Sequence, residues 1–172
     1  QKCLSCPPGL SPVSFSEQAV EAIRKRKQQV PNFYLDLSML IDYWESGKYH
    51  HTASSNLNYA FYQALYDFLE EGPQAVYDRH LQVHRYLVGE LDKLGLKMFV
   101  EESSRTPMLN AIVCPGGVDE AAVRRRLLEE YHIEIGSGLG PLAGKIWRVG
   151  LMGHTARKEN VDRLVSALQD LL

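Results

Sequence analysis

Residues 96–114, LKMFVEESSRTPMLNAIVC, decide the fold of the C-terminal part of the chain. Within them, Leu96–Val100 and Met108–Cys114 cluster apolar and β-branched residues between turn residues, and this pattern predicts two strands. The elements that follow are a charged helix over Asp119–Tyr131, short strands over Ile133–Ile135 and Ile146–Val149, and a last helix carrying Val161, Leu164, Val165 and Leu168. The order β-β-α-β-β-α is typical of a compact sheet that helices cover on one face. We therefore predict a small α+β domain here.

The residues before this stretch are predicted to be mainly helical. Apolar residues spaced i, i+3, i+4 and i+7 between Leu57 and Leu69 indicate an amphipathic helix over residues 56–71. Gly72-Pro73 ends this helix, and Pro73 suits the first turn of another that runs to about Leu94. Nearer the start, the predicted elements are a strand over 11–15, a helix from about Ser16 to Lys27 and a helix over Asp36–Ser46. We place a domain boundary between residues 72 and 73, which gives domains 1–72 and 73–172.

The composition of the 172 residues is that of an average globular protein, with 45% hydrophobic and 23% charged residues. Nineteen Lys and Arg against 21 Asp and Glu give a net charge of −2, so no basic field favours nucleic acid or an anionic membrane. No apolar run approaches the ~20 residues that span a bilayer, and no signal peptide is visible. The chain ends Asp170-Leu171-Leu172, which is not a peroxisomal tripeptide. We predict a cytoplasmic protein, and mitochondrial or other targeting by a preceding segment stays open as the alternative.

Several possible metal or redox motifs are weak. Cys3 and Cys6 form a C-x-x-C, but Cys114 is the only other cysteine and Pro7-Pro8 excludes the helix that would activate a thiol, so reduced cysteines are favoured. His80 and His84 have the spacing of zinc ligands without the expected Glu, which favours a buried His80 beside an exposed His84. His50 and His51 are adjacent on an extended segment and are expected to point in opposite directions. No metal site is predicted.

The loop Gly136-Ser137-Gly138-Leu139-Gly140 resembles a nucleotide fingerprint, but Pro141 follows it where a helix would have to begin. We interpret it as a loop that lets backbone approach a ligand closely. The basic runs 24–27 and 124–126 lie beside acidic residues and are interpreted as solvated faces.

Read in order, five segments resemble the class V, fold-type I aminotransferases, and more narrowly the alanine–glyoxylate and serine–pyruvate aminotransferases. The segments are Gln1-Lys2-Cys3-Leu4 with Pro7-Pro8-Gly9 and Val13-Ser14-Phe15-Ser16, Lys48-Tyr49-His50-His51-Thr52, Ile135–Gly140, Gly144–Gly150, and Glu159-Asn160-Val161-Asp162-Arg163. The resemblance covers almost the entire chain. It implies an α/β fold, with the end of the large cofactor domain followed by the small α+β domain. It also implies that the chain is the C-terminal half of such an enzyme, since the lysine lies near mid-chain in the family.

The resemblance further implies a pyridoxal 5′-phosphate site and a role for each residue in it. Lys2 would form the Schiff base with the cofactor and later shuttle a proton, and Tyr49 and Thr52 would donate hydroxyl hydrogen bonds to its phosphate. Arg148 would bind the substrate α-carboxylate, because a planar guanidinium matches a carboxylate in two parallel hydrogen bonds. A salt bridge to Glu134 or another acid is the alternative for Arg148. The acid that pairs with the pyridine nitrogen and the aromatic that stacks on the ring are expected outside these residues.

The predicted function is transfer of an amino group from alanine or serine to glyoxylate or pyruvate. Amino acids and 2-oxo acids would be the substrates, and the working unit would be a homodimer in which the Tyr49–Thr52 segment reaches the neighbouring subunit's cofactor. Two alternatives stay open at this point. One is an enzyme like the 2-aminoethylphosphonate–pyruvate transaminases, and the other is a non-catalytic, truncated dimerisation module.

Overall fold

The computed structural model describes all residues from Gln1 to Leu172. It contains six α-helices, three β-strands and four short 3₁₀ turns. The α-helices and strands are α1 (Glu17–Arg24), α2 (Leu37–Ser46), α3 (Ser55–Glu71), α4 (Pro73–Lys93), β1 (Leu109–Val113), α5 (Glu120–Tyr131), β2 (Gly136–Ser137), β3 (Ile146–Gly150) and α6 (Lys158–Leu171). None of the helices combines the length and the apolar character that crossing a membrane requires.

Side-chain caps begin α1 and α2. The Ser16 hydroxyl accepts a hydrogen bond from the Ala19 amide at the start of α1, and the Asp36 carboxylate accepts one from Ser38 at the start of α2. Gly47 ends α2 in the left-handed conformation that glycine adopts without strain. The prediction of α2 is confirmed, while α1 ends at Arg24, three residues earlier than expected. The predicted strand over 11–15 is wrong, because no strand pairs with this segment.

The two long helices follow their predicted bounds closely. Helix α3 covers Ser55–Glu71, and α4 begins at Pro73, whose missing N–H costs nothing in a first helical turn. Along α4, Val76, Val83, Leu87 and Leu91 are buried, as the apolar spacing predicts. The helix ends at Lys93, and Gly95 follows with a positive φ.

The sheet has the strand order β1-β3-β2, and both pairs are antiparallel. Its buried face carries Asn110 and Ile112 of β1 beside Trp147 and Val149 of β3, because Ile112 pairs with Trp147 and Asn110 with Val149. Helices α4, α5 and α6 contribute most of the rest of this core, including Leu87, Leu91, Leu127, Val161 and Leu168. The arrangement of helices on one face of a small sheet is as predicted, and it leaves the other face free for Arg148.

Two further predicted strands are wrong. Leu96–Val100 makes only an isolated bridge between Met98 and Ile112, although Phe99 and Lys97 each share a hydrogen bond with β1. Ile133–Ile135 is a loop, because the Ile133 amide donates back to the Leu127 carbonyl and closes the end of α5. The adjacent Gly136–Ser137 pairs with β3 instead.

The chain forms two compact units, one of residues 1–7 with 62–172 and the other of residues 8–61. The larger unit contains the sheet and its core, and the smaller contains α1, α2 and the start of α3. The division into domains at residue 72 stays a prediction.

Candidate active site

Lys2 lies in a short turn whose backbone is fixed and whose side chain is exposed. The Ser5 amide donates to the Lys2 carbonyl at 3.0 Å, and the Ser5 hydroxyl accepts from the His154 amide at 2.9 Å. No carboxylate lies within 4 Å of the Lys2 amine, so no ion pair holds it. The amine is therefore available to react with an aldehyde.

Arg148 lies on the face of the sheet opposite the helical core, in the central strand. Its neighbours across the two strand pairs are Ala111 and Gly136, both small. A Cβ at Gly136 would lie 3.2 Å from Nη2 of Arg148, so the missing side chain makes room for the guanidinium. Nε donates to the Ser137 carbonyl at 2.6 Å, which fixes the direction of the side chain.

The guanidinium of Arg148 has no acidic partner in this unit or elsewhere in the chain. No carboxylate lies within 4 Å of it, so the alternative of a salt bridge to Glu134 or another acid is wrong. Neither Nη atom donates a hydrogen bond to the protein, and the residue is half-buried. Two parallel N–H groups remain free for an external carboxylate.

The glycine loop before β3 brings backbone close to backbone. A side chain at Gly138 would overlap the Leu142 carbonyl, and Gly140 has a φ of +53°. The Gly138 amide donates to the Ile146 carbonyl at 3.0 Å. The loop thereby fixes the Ser137 carbonyl that orients Arg148. Only the three-residue 3₁₀ turn Gly140–Leu142 follows it, and not the α-helix of a nucleotide-binding loop.

Tyr49 and Thr52 come together in the smaller unit. Their hydroxyl oxygens lie 3.0 Å apart, and both residues are exposed, Tyr49 by 74%. Either hydroxyl can turn its proton outward, so the pair can donate to one anionic group. The spacing of the two residues in the sequence therefore does bring their functional atoms into contact.

The expectation that His50 and His51 point in opposite directions is wrong. Their Nδ1 atoms are 2.9 Å apart, and the His50 ring stacks on Phe33 with centroids 4.4 Å apart. Nε2 of His50 lies 3.2 Å from the Phe33 carbonyl, which can only accept, so Nε2 carries the proton and Nδ1 accepts from His51. The rings of Phe33, Tyr34 and Tyr43 surround the two histidines. The alternation of side chains along an extended segment does not predict such a cluster.

His80 is buried as expected, but the expectation of an exposed His84 is wrong. Nδ1 of His84 lies 2.6 Å from Oδ1 of Asn110, and this contact buries both side chains. No group of three or more possible metal ligands exists in the structure.

The three cysteines are free, and burial, together with the charges of Glu120 and Asp119, raises the pKa of the Cys114 thiol. The basic runs are exposed apart from Arg124, which is half-buried and pairs with Glu120.

The sequence did not predict the hydrogen bonds that hold the backbone next to Lys2, which involve Ser5, His80 and Gly153. The contacts link positions 73 and 149 residues apart, and such separations leave no local pattern. The one available signal was His80 itself, a polar residue in the apolar stripe of α4.

Known proteins match the chain from end to end. The (S)-ureidoglycine–glyoxylate transaminase of Bacillus subtilis (strain 168) is 36% identical over all of this chain and 46% of its own length. The alanine–glyoxylate aminotransferase of Drosophila melanogaster is 40% identical over all of this chain and 45% of its own length. The crystal structure of alanine–glyoxylate aminotransferase from Nostoc sp. superposes with a TM-score of 0.94 at 48% identity, covering 99% of this chain and 46% of that one.

The chain thus spans somewhat less than half the length of these relatives. No protein-family model matches it. The solved relative shares its fold over nearly every residue, which confirms the predicted fold class. The chain is therefore a homologue of the class V, fold-type I aminotransferases of the alanine–glyoxylate type, matched over slightly less than half of their length.

Proposed function

We propose that this chain supplies the lysine and the carboxylate-binding arginine of a pyridoxal-phosphate-dependent aminotransferase. The observation that carries the proposal is Arg148, a half-buried guanidinium with Nε anchored and both Nη groups free of any carboxylate. A charge held in this way needs an anionic partner from outside the chain. The α-carboxylate of an amino acid or 2-oxo acid is such a partner, and proteins named aminotransferases are its relatives.

The donor groups present fit pyridoxal phosphate. Lys2 offers an unpaired primary amine for the aldehyde of one cofactor, and the hydrogen-bonded Tyr49–Thr52 pair offers an outward hydroxyl proton for the phosphate of the neighbouring subunit's cofactor. When bound, the cofactor ring supplies the electron sink for amino-group transfer. Lys2 would hold the cofactor through its Nζ amine, and the same amine, when free, would move the proton at the substrate Cα.

Arg148 orients the substrate. Its two Nη groups donate to the two carboxylate oxygens, and the Ser137 carbonyl keeps the guanidinium plane in one direction. Gly136 leaves the space beside the guanidinium open. The chain therefore binds the part of the molecule that amino donors and 2-oxo acid acceptors have in common.

We take alanine or serine as amino donor and glyoxylate or pyruvate as acceptor. Glyoxylate appears in the names of both sequence relatives, although their amino donors differ. Arg148 would bind only the α-carboxylate, which all these substrates share, and this is consistent with one acceptor and variable donors. The cytoplasmic location stays a prediction.

The partner is a second copy of the subunit in this proposal. The smaller unit exposes large apolar side chains, among them Phe33, Tyr34 and Trp44, near the Tyr49–Thr52 segment in sequence. Exposed aromatic residues in such numbers are typical of surfaces that another protein covers. The hydroxyl pair would then serve the neighbouring subunit's cofactor.

The test uses pyridoxal phosphate as the probe. The chain is incubated with the cofactor, reduced with borohydride and mapped by peptide mass spectrometry. We expect the label on Lys2 and its loss in Lys2→Ala. Lys27→Ala is the matched control, because Lys27 is also exposed and has no carboxylate within 4 Å.

A label mainly on other lysines would remove Lys2 from the proposed mechanism. No label at all would favour the non-catalytic dimerisation module. Retention of the label at Lys2 in Lys27→Ala is required for the assignment to stand.

A further inference from the structure

Helix α4 holds the turn Gly153–Thr155 through two consecutive side chains. Nε2 of His80 accepts from the Gly153 amide at 2.9 Å, and Nδ1 of His80 lies 2.6 Å from the Val76 carbonyl. An amide N–H can only donate and a carbonyl can only accept, so Nδ1 carries the single ring proton. The contacts thus define both the neutral state and the tautomer of this buried histidine.

Arg79 holds the same turn from the carbonyl side. Its Nη1 donates to the Gly153 carbonyl at 2.8 Å and to the Ala156 carbonyl at 3.0 Å. Its remaining donors bind the Glu71 carboxylate at 2.5 and 2.8 Å. Both polar backbone groups of Gly153 are therefore bound to α4.

The opposite side of the turn carries the Lys2 segment. The His154 amide and Nδ1 of His154 lie 2.9 and 3.1 Å from the Ser5 hydroxyl oxygen. Ser5 has a φ of +58°, which a residue other than glycine adopts at a cost, so the contacts around it hold it there. The Ser5 amide in turn donates to the Lys2 carbonyl.

Gly153 lets this segment approach. A Cβ on Gly153 would overlap the Ser5 hydroxyl and lie 3.0 Å from the Cys3 carbonyl and 3.2 Å from the Lys2 carbonyl. Gly153 also has a φ of +58°. Any side chain there would push residues 2–5 away, and the backbone of Lys2 would move with them.

We propose that neutral His80 is a positioning residue for Lys2, acting through Gly153 and Ser5. The inference rests on the proposed function, since it gives a role to the fixed position of the Lys2 backbone. A reactive amine works best when the segment that carries it is held before the substrate arrives. His80 does not touch the amine, and its effect passes through two hydrogen bonds and one close backbone contact.

His84 provides a matched control. It lies one turn further along α4 and is comparably buried, but it binds Oδ1 of Asn110 and not the Gly153 turn. A purely structural role for buried histidines of α4 would make His80→Leu and His84→Leu equivalent. If His80 positions Lys2, His80→Leu should loosen residues 2–5 and His84→Leu should not.

The experiment measures backbone ¹⁵N order parameters and amide exchange in the 172-residue chain. In His80→Leu we expect the order parameters of residues 2–5 to fall and the Gly153 amide to exchange about tenfold faster, because its hydrogen-bond acceptor is gone. His80→Gln restores an acceptor near the Nε2 position and should retain protection. His84→Leu should leave residues 2–5 unchanged.

A second variant keeps the proposal testable if His80→Leu does not fold. Ser5→Gly removes the hydroxyl from an exposed position, and glycine adopts a φ of +58° freely. We expect residues 2–4 to loosen while the Gly153 amide stays protected by His80. Unchanged order at residues 2–5 in both variants would overturn the inference.

Labelling with pyridoxal phosphate and borohydride separates this inference from the proposed function. In His80→Leu, labelling of Lys2 should fall several-fold relative to Lys27 in the same sample. If the unmodified chain takes no label at Lys2 while the NMR pattern is as expected, the proposed function fails and the positioning of Lys2 stands. If Lys2 is labelled equally in His80→Leu and the unmodified chain, the positioning role fails and the proposed function stands.

Discussion

The two tryptophans of the chain lie in different compact units and in opposite surroundings. Trp147 is completely buried in the larger unit, with its indole N–H donating to the Glu120 carbonyl at 3.3 Å. Trp44 lies on α2 of the smaller unit and is 53% exposed. The larger unit contains the whole cluster of buried core residues, whereas Ile41 and His50 are the buried side chains of the smaller one.

This difference indicates how the candidate site residues are supported. Lys2 and Arg148 belong to the unit with the dense core, where rigid packing can hold a reactive geometry. Tyr49 and Thr52 belong to the unit in which only Ile41 and His50 are buried, so packing inside that unit holds them less firmly. If this difference is real, substitutions in the larger unit should change the free energy of unfolding more than comparable substitutions in the smaller one.

Replacing each tryptophan by alanine should give the largest contrast. Trp147→Ala removes a large, fully buried side chain and should lower the free energy of unfolding by about 3–5 kcal/mol. Trp44→Ala removes a half-exposed one and should change it by about 0.5 kcal/mol or less. Urea unfolding followed by circular dichroism measures both. Equal losses of unfolding free energy in the two variants would show that Trp44 packs in a core of the smaller unit, contrary to its exposure in the structure.

Arg148 separates binding from folding within the larger unit. It neighbours Trp147 on β3 but lies on the other face of the sheet. Arg148→Lys should leave the free energy of unfolding nearly unchanged and should weaken amino- and 2-oxo-acid binding by about 1.5–3 kcal/mol, because lysine cannot reproduce the two parallel hydrogen bonds. The readouts are urea unfolding and KM in the complete enzyme. An unchanged KM would assign Arg148 a structural role.

His50 tests the smaller unit. His50→Ala removes the stack on Phe33 and the hydrogen bond to the Phe33 carbonyl, with an expected loss of about 1–2 kcal/mol. His50→Phe keeps a stacking ring and should lose less. Amide exchange along α2 measures the effect, since local opening exposes these amides. Equal protection of α2 in His50→Ala and the unmodified chain would show that the stack contributes nothing to this unit.

The helices could be predicted from the sequence because their signals are local. Helices α1 and α2 begin directly after Ser16 and Asp36, within a residue of the predicted starts, and the apolar spacing of α3 and α4 fixes their bounds within a residue. The strands were harder, because pairing depends on distant residues. Ile133–Ile135 has the composition of a strand, but a hydrogen bond back to Leu127 closes α5 and leaves Gly136–Ser137 to pair.

The candidate site also has features that local sequence predicts and features that depend on distant residues. The resemblance proposed Lys2, Tyr49, Thr52 and Arg148 as site residues, and this remains a prediction. The contact between the Tyr49 and Thr52 hydroxyls arises within four residues of chain. The room that Gly136 leaves for Arg148 depends on the antiparallel register of β2 and β3. The support of Lys2 by His80 depends on a contact across 73 residues. Registers and long-range contacts follow from the assembled fold and from no single segment.

The smallest expected contrast concerns one ion pair in each unit. Glu71 binds Arg79 through two hydrogen bonds with both side chains partly shielded, whereas Glu45 and Arg24 meet at 3.3 Å with both more than 60% exposed. Glu71→Gln should cost about 0.5–1 kcal/mol at neutral pH, and Glu45→Gln should have no measurable effect, because solvent screens an exposed pair. Urea unfolding of the two variants measures both changes.

The Glu71–Arg79 pair should also make the stability of the larger unit depend on acid. The Arg79 guanidinium, hydrogen-bonded to Glu71, lowers the pKa of that carboxyl below its ordinary value of 4.5. The native state therefore binds fewer protons than the unfolded state, so the stabilisation is complete above pH 4.5 and is lost as the pH falls through the lower, native pKa. Glu71→Gln should remove this acid-dependent part of the stability curve. A stability curve with the same acid slope in Glu71→Gln and the unmodified chain would contradict this contribution of Glu71.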